Sequence, residues 1–181
     1  MKGKVLAKSY ILLDRDGTLI KHIPYIADPN LVELLPNVIL GLKYLKSLNF
    51  KFGIISNQSA IGRGLATKKQ VDNVNLRVLE LLESEELDIS FIFYCPHAPL
   101  DFCTCRKPSP GLGKLAILKY DIDISSSYMI GDANSDIIFG QNIGCHTIQI
   151  VETPYCSSNA EHATLDLLLS AKYIHSQIRK G

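Results

Sequence analysis

The sequence predicts an α/β fold, a three-layer sandwich around a central parallel sheet. Three observations carry this. Short runs at 9–13, 50–55, 89–94, 128–130 and 146–150 read as strands, and the first is apolar through Leu13 rather than alternating, as in a strand buried on both faces. Segments between the runs place apolar residues at helical spacing, which implies parallel strands joined by crossovers. Polar and acidic residues gather directly after several runs, where open α/β sheets bind ligands beyond the carboxyl ends of their strands.

The elements follow in chain order. Residues 9–13 form the first strand and run straight into Asp14-Arg15-Asp16-Gly17-Thr18-Leu19. Val38, Leu42 and Leu45 mark a helix reaching Leu48, with Pro36 suited to its first turn. The strand at 50–55 tolerates Lys51 and ends at Ser56-Asn57-Gln58-Ser59. Thr67-Lys68-Lys69-Gln70 has the form of a capping box, and Val71, Val74, Val78 and Leu81 give the following helix an apolar face as far as about Ser84. A third strand at 89–94 leads into a cysteine-rich loop at 95–105. Ser109-Pro110 opens a helix with Leu112, Leu115 and Ala116 as core contacts. The strand at 128–130 delivers Gly131-Asp132, a short helix fits 135–141, and 146–150 is the fifth strand. The remaining segment, with Leu165, Leu168, Leu169 and Ile174, reads as a helix that closes the core. No repeat or linker interrupts the pattern, so residues 1–181 form a single domain.

Composition narrows the function classes. With 46% apolar and 20% charged residues the chain is globular rather than disordered. Its 19 basic and 18 acidic residues nearly cancel, so bulk charge does not suggest a nucleic-acid partner, and an anionic ligand must be gripped locally. Lys2, Lys4 and Lys8 give a basic start, but the apolar run after them is too short for a signal peptide, and no stretch approaches the roughly 20 apolar residues of a membrane helix. A cytoplasmic monomer with no membrane partner is the expectation. Five cysteines is an odd number, and in a reducing compartment clustered cysteines point to metal rather than disulfides. Three cluster; Cys145 and Cys156 read as small hydrophobes.

Two acids one residue apart at a strand end suit Mg2+, a hard cation that prefers oxygen and accompanies phosphate, although Asp and Gly also make ordinary turns. Asp14 is also a candidate nucleophile, because carboxylates form aspartyl-phosphates. Further along, strand ends and the loop after the third strand bring Ser56, Arg106 with Lys107, and Asp132 with Asp136. Each alone has a plain explanation: a turn cap, a solvated charge, a helix-start acid. Their common placement is the argument.

The order acid pair, hydroxyl, lysine, acid resembles the four motifs of the haloacid dehalogenase superfamily of phosphotransferases, over residues 10–136. That resemblance implies a Rossmann-like sheet and a Mg2+ ion held by the Asp14 carboxylate, the Asp16 backbone carbonyl and Asp132, with Asp136 supporting. It implies that Asp14 attacks phosphorus, that Asp16 protonates the leaving alcohol and then deprotonates water, that Ser56 donates to a phosphoryl oxygen, and that Lys107 supplies positive charge. Asp14 and Ser56 lie 42 positions apart, too few for an inserted cap domain.

Cys95, His97, Cys103 and Cys105 offer three thiolates and an imidazole, a set that zinc takes in tetrahedral geometry with no position left for water. A metal-free loop, or a redox pair of Cys103 and Cys105, are the alternatives. Arg106 and Lys107 follow directly, so a bound zinc would fix where those cations point. This combination resembles a group of small capless phosphatases within the superfamily, the D-glycero-D-manno-heptose 1,7-bisphosphate phosphatases and the histidinol-phosphate phosphatase domain. The stretch from Ser56 to Gly64 resembles the heptose enzymes' TNQSGIARG, and Arg106-Lys107-Pro108-Ser109-Pro110-Gly111 their RKPxPG; Thr18 and the brief spacing from His97 to Cys103 are closer to the histidinol-phosphate side. The resemblance implies a substrate loop at His22-Ile23-Pro24-Tyr25, with His22 and Tyr25 touching sugar hydroxyls, Asn57, Gln58 and Ser59 beside them, Arg106 meeting the substrate beyond the reacting phosphate, and Arg63 as a further contact. Ala133 stands where the heptose enzymes usually carry a basic residue. The expected activity is hydrolysis of a sugar phosphate, heptose bisphosphate to the 1-phosphate, in lipopolysaccharide precursor synthesis. Histidinol-phosphate hydrolysis and a non-catalytic phosphosugar-binding domain are the alternatives.

Overall fold

The computed structural model describes residues 8–153 and 158–179; Lys2, Lys4 and Cys156 lie outside them. In chain order the elements are β1 (Tyr10–Leu13), α1 (Val38–Ser47), β2 (Lys51–Asn57), α2 (Lys68–Glu83), β3 (Ile89–Cys95), α3 (Gly111–Tyr120), β4 (Tyr128–Gly131), α4 (Asn134–Ile143), β5 (His146–Ile150), β6 (His162–Thr164) and α5 (Leu167–Ile178). The strands form one sheet in the order β3-β2-β1-β4-β5-β6, and every pairing is parallel.

Strand periodicity explains the three layers. Ile11 and Leu13 of β1 face the cluster filled by α1, α2 and α5, while Tyr10 and Leu12 face the cluster filled by α3 and α4. All four are buried, so β1 has no solvated face and no alternating pattern. Each such Ile or Leu contributes roughly 1.5–3 kcal/mol by leaving water. The Thr67 cap forms as the sequence predicts: its hydroxyl accepts from the Gln70 N–H at 3.2 Å, and its own N–H donates to Gln70 Oε1 at 2.9 Å.

Four expectations change. A sixth strand, β6, is three residues of His-Ala-Thr with no apolar run to announce it. Leu165 therefore lies in the turn before α5 rather than in a helix, and Leu165 and Leu169 are exposed. Ile174 faces the core as expected, joined by Leu167 and Ala171. The α1–α5 crossing is close because a Cβ on Gly41 would stand 2.7 Å from the Leu167 carbonyl carbon. On α3, Leu115 is also exposed, and Gly113 and Ala116 make the buried contact. Pro36 precedes α1, whose N-cap is Asn37 in the left-handed region at φ 63°.

The sheet order places the site. From β1 the chain steps outward to β2 and β3, then returns to lay β4 on the other side of β1. The crevice opens where connections diverge in this way. Leu13 pairs with Ile130, and the Asp14 N–H extends the ladder by donating to the Ile130 carbonyl at 3.0 Å. No helix among the described residues is long and apolar enough to cross a membrane.

Candidate active site

Two glycines let three carboxylates converge at the β1–β4 seam. Gly17 turns the chain at φ +84°, and a Cβ there would stand 2.3 Å from Asp132 Oδ2. A Cβ on Gly131 would meet Asp136 Oδ2 at 2.3 Å. Asp136 sits in the first turn of α4, where its carboxylate accepts from the Ala133 N–H at 3.1 Å. Asp14, Asp132 and Asp136 each offer an oxygen within 4.8 Å of the others.

So many acids in so little water are electrostatically costly. Burial, then the charge of Asp14, raises Asp132 above the usual carboxylate range. The same causes push Asp136 up to about 7, against the pull of Lys107. Lys107 is the counter-charge. Its ammonium donates to Asp14 Oδ1 at 2.6 Å and to the Ile55 carbonyl at 2.5 Å, and it pairs with Asp136 Oδ1 at 2.7 Å. Burial alone would lower Lys107, but Asp14 and Asp136 outweigh it and hold it above the usual lysine range.

The end of β2 supplies the supports. Asn57 clasps the Lys107 backbone, its amide donating to the Lys107 carbonyl and its oxygen accepting from the Lys107 N–H, each at 3.0 Å. Ser56 is buried, and its Oγ accepts from Gln58 Nε2 at 3.1 Å. Asp16 does not stand free: Arg15 and Gln58 both donate to its carboxylate.

A cavity of about 410 Å3 opens over these groups. Asp14, Asp16, Lys107, Asp132 and Asp136 line it, as do His22, Tyr25, Asn57, Gln58, Ser59 and Arg106. Ser56 and Arg63 do not: Ser56 is buried, and Arg63 is exposed, with its guanidinium over the Tyr25 ring at 5.9 Å from the centroid. Both polar ends of Asn57 are engaged by Lys107, which makes it a brace for the lysine. The sequence reading did not single out Ser135, which also lines the cavity, or the buried residues Arg15 and Asn75. Arg15 stands between two acids in the sequence, which reads as an ordinary surface charge; Asn75 was hidden on the core face of α2.

A second cluster of side chains could hold a metal ion. The sulfurs of Cys95, Cys103 and Cys105 lie 3.2–3.5 Å apart, and His97 Nδ1 is 3.1 Å from Cys105 and 3.5 Å from Cys95. All three cysteines are free thiols. A tetrahedral zinc site with Zn–S bonds near 2.3 Å has sulfurs about 3.8 Å apart, so this donor set fits zinc with a small expansion. Burial pushes Cys95 up to about 12. At Cys103 desolvation acts the same way but is outweighed by hydrogen bonds from Cys95 and the Arg106 backbone, which bring it down to about 7. The cluster is tied to the β2 loop, since the Gly62 N–H donates to the Pro96 carbonyl at 2.8 Å. Cys145 lies apart, buried, with its thiol pushed up to about 12 by burial.

An all-parallel sheet with acids and one buried lysine at its switch point defines a HAD-like hydrolase, and the chain belongs to that family. A profile described as HAD-hydrolase-like matches residues 104–164. The chain is 38% identical over 161 residues to D-glycero-alpha-D-manno-heptose-1,7-bisphosphate 7-phosphatase of Photorhabdus laumondii, covering 84% of this chain and 88% of that one. It is 37% identical over 143 residues to the histidine biosynthesis bifunctional protein HisB of Blochmanniella floridana, covering 77% of this chain and 40% of that protein. Among solved structures it resembles D,D-heptose 1,7-bisphosphate phosphatase of B. bronchiseptica, complexed with magnesium and phosphate, at TM-score 0.83 and 25% identity over 93% of this chain and 99% of that chain.

Proposed function

We propose that the protein is a phosphatase that removes the 7-phosphate of D-glycero-D-manno-heptose 1,7-bisphosphate through an aspartyl-phosphate on Asp14. The observation that carries this reading is the convergence of Asp14, Lys107, Asp132 and Asp136 in one cavity. An all-oxygen donor set with excess negative charge fits Mg2+, which Asp14, Asp132 and the Asp16 carbonyl would hold with Asp136 in support. When bound, the ion neutralises phosphoryl oxygens that would otherwise repel the Asp14 carboxylate.

The chain's own groups do the rest. Asp14 attacks phosphorus in line, and Lys107, its ammonium already at the Asp14 carboxylate, stabilises charge on the transferring group. The Ser56 hydroxyl donates to a phosphoryl oxygen. Asp16 protonates the leaving sugar oxygen, then takes a proton from the water that opens the acyl-phosphate. His22, Tyr25, Ser59 and Arg106 line the space for the sugar and its second phosphate. Arg106 carries the distal grip because Ala133 offers no charge. Arg63 acts at the rim through Tyr25. Zinc on Cys95, His97, Cys103 and Cys105 is structural. A soluble sugar phosphate as the sole partner suits a cytoplasmic monomer that supplies lipopolysaccharide precursors.

The likeness to HisB motivates the second reading, hydrolysis of histidinol phosphate. Turnover of the two substrates separates them. We expect kcat/KM at least about tenfold higher on the heptose bisphosphate, since Arg106 then has an anion to meet. A higher value on histidinol phosphate overturns the substrate assignment, and phosphate release from neither with Mg2+ present overturns the enzymatic one.

Metal binding should also compete with protons. Asp136 lies above its unfolded value, so the metal-free fold binds the extra proton between about pH 4 and 7, and that contribution to stability is lost as pH rises through about 7. Mg2+ favours the ionised form. Its affinity, measured by calorimetry, is expected to climb between about pH 5.5 and 7 and to level off above; a flat profile would contradict the assignment.

A further inference from the structure

We propose that Arg15 and Asn75, neither of which reaches the cavity, are positioning residues that aim the proton-transfer group, Asp16. The inference rests on the reading of Asp16 as the acid and base. Arg15 is fully buried, an environment in which an unpaired guanidinium is costly. Each of its three nitrogens has a partner. Nη1 donates to Asn75 Oδ1 at 2.6 Å, Nη2 to Gln58 Oε1 at 2.9 Å, and Nη2 reaches the two Asp16 oxygens at 2.9 and 3.0 Å, with Nε to Oδ2 at 3.2 Å. A planar fork with five donors can hold three partners at once; an ammonium cannot reproduce that geometry.

The arrangement dictates how Gln58 is turned. Arginine only donates, so the Gln58 oxygen must face it, and the Gln58 amide nitrogen is then directed at Asp16 Oδ2 at 2.8 Å and Ser56 Oγ at 3.1 Å. A hydroxyl that accepts from Gln58 turns its own hydrogen elsewhere. Asn75, on α2, anchors the network from the helical layer. One buried guanidinium thus holds Asp16 directly and turns the Gln58 amide toward it.

The test uses leaving groups. A sugar alkoxide needs a proton to depart, whereas p-nitrophenolate departs without one, so misaiming Asp16 slows the first far more than the second. For Arg15→Lys and Asn75→Ala in the Mg2+-loaded protein, we expect kcat/KM on the heptose bisphosphate to fall about 10–100-fold, while that on p-nitrophenyl phosphate falls less than about threefold. Thermal melting identifies any variant that is not folded, and the other then decides. Equal losses on both substrates would mean a merely structural network, and no loss on either would mean no role; both overturn the proposal. If the wild-type protein releases phosphate from neither substrate, it is the reading of the protein as a phosphatase that has failed.

Discussion

Asp14→Asn is expected to reduce phosphate release by about 10^4-fold or more while leaving the chain folded. The first effect follows from chemistry: a carboxamide cannot attack phosphorus, and loss of a covalent nucleophile removes a step that no neighbour replaces. The second follows from charge. Three acids surround a single lysine, and the charge of Asp14 is among the causes that raise both Asp132 and Asp136. Removing it relieves that repulsion, while Lys107 keeps its partner Asp136 at 2.7 Å. The metal-free variant is therefore expected to melt no lower than the wild type at neutral pH, and to bind Mg2+ more weakly. Acid quenching after incubation with labelled substrate checks the intermediate directly. A labelled wild-type protein and an unlabelled variant are expected; a variant that retains more than about 1% of the activity would remove Asp14 as the nucleophile.

The difference between what could and could not be read from the sequence has a physical cause. Strands buried on both faces announce themselves, because each residue of β1 had to be apolar. The acids after them were legible for the same reason: charge directly following such a strand has few structural uses. The zinc-type cluster was legible because thiols and imidazole at short spacing share a chemistry. By contrast β6 is held by its neighbour β5, not by its own composition. Leu115 and Leu169 are apolar yet exposed, since helical spacing names two possible faces and only packing chooses between them, and Leu165 falls in the turn before α5. Asn57 and Gln58 line the cavity, and nothing local shows that their polar atoms also engage Lys107, and Asp16 with Ser56. A side chain's partner sixty positions away, as with Arg15 and Asn75, leaves no local signature.

Stripping zinc is expected to have the largest effect on stability and to separate two cations that are adjacent in sequence. The purified protein should contain close to one zinc per chain, and a strong chelator should lower the melting temperature by about 10 °C or more. Structural zinc in small sites contributes many kcal/mol, and each kcal/mol shifts a domain of this size by roughly 2–4 °C. With Mg2+ restored in excess, the zinc-free protein tests function alone. Lys107 keeps anchors that do not involve the cluster: the Asn57 clasp, the Ile55 carbonyl and two carboxylates. Among the described residues the Arg106 side chain makes a single, long hydrogen bond, from its Nη1 to the His97 carbonyl at 3.5 Å, on a loop the metal would organise. Loss of zinc should therefore raise KM for the bisphosphate by about tenfold, the worth of a charge-assisted contact, with kcat changed by less than about threefold. Added zinc should reverse both effects. Protein that contains no zinc, or that melts and turns over unchanged after chelation, would leave the four-ligand cluster without its metal and Arg106 without its anchor.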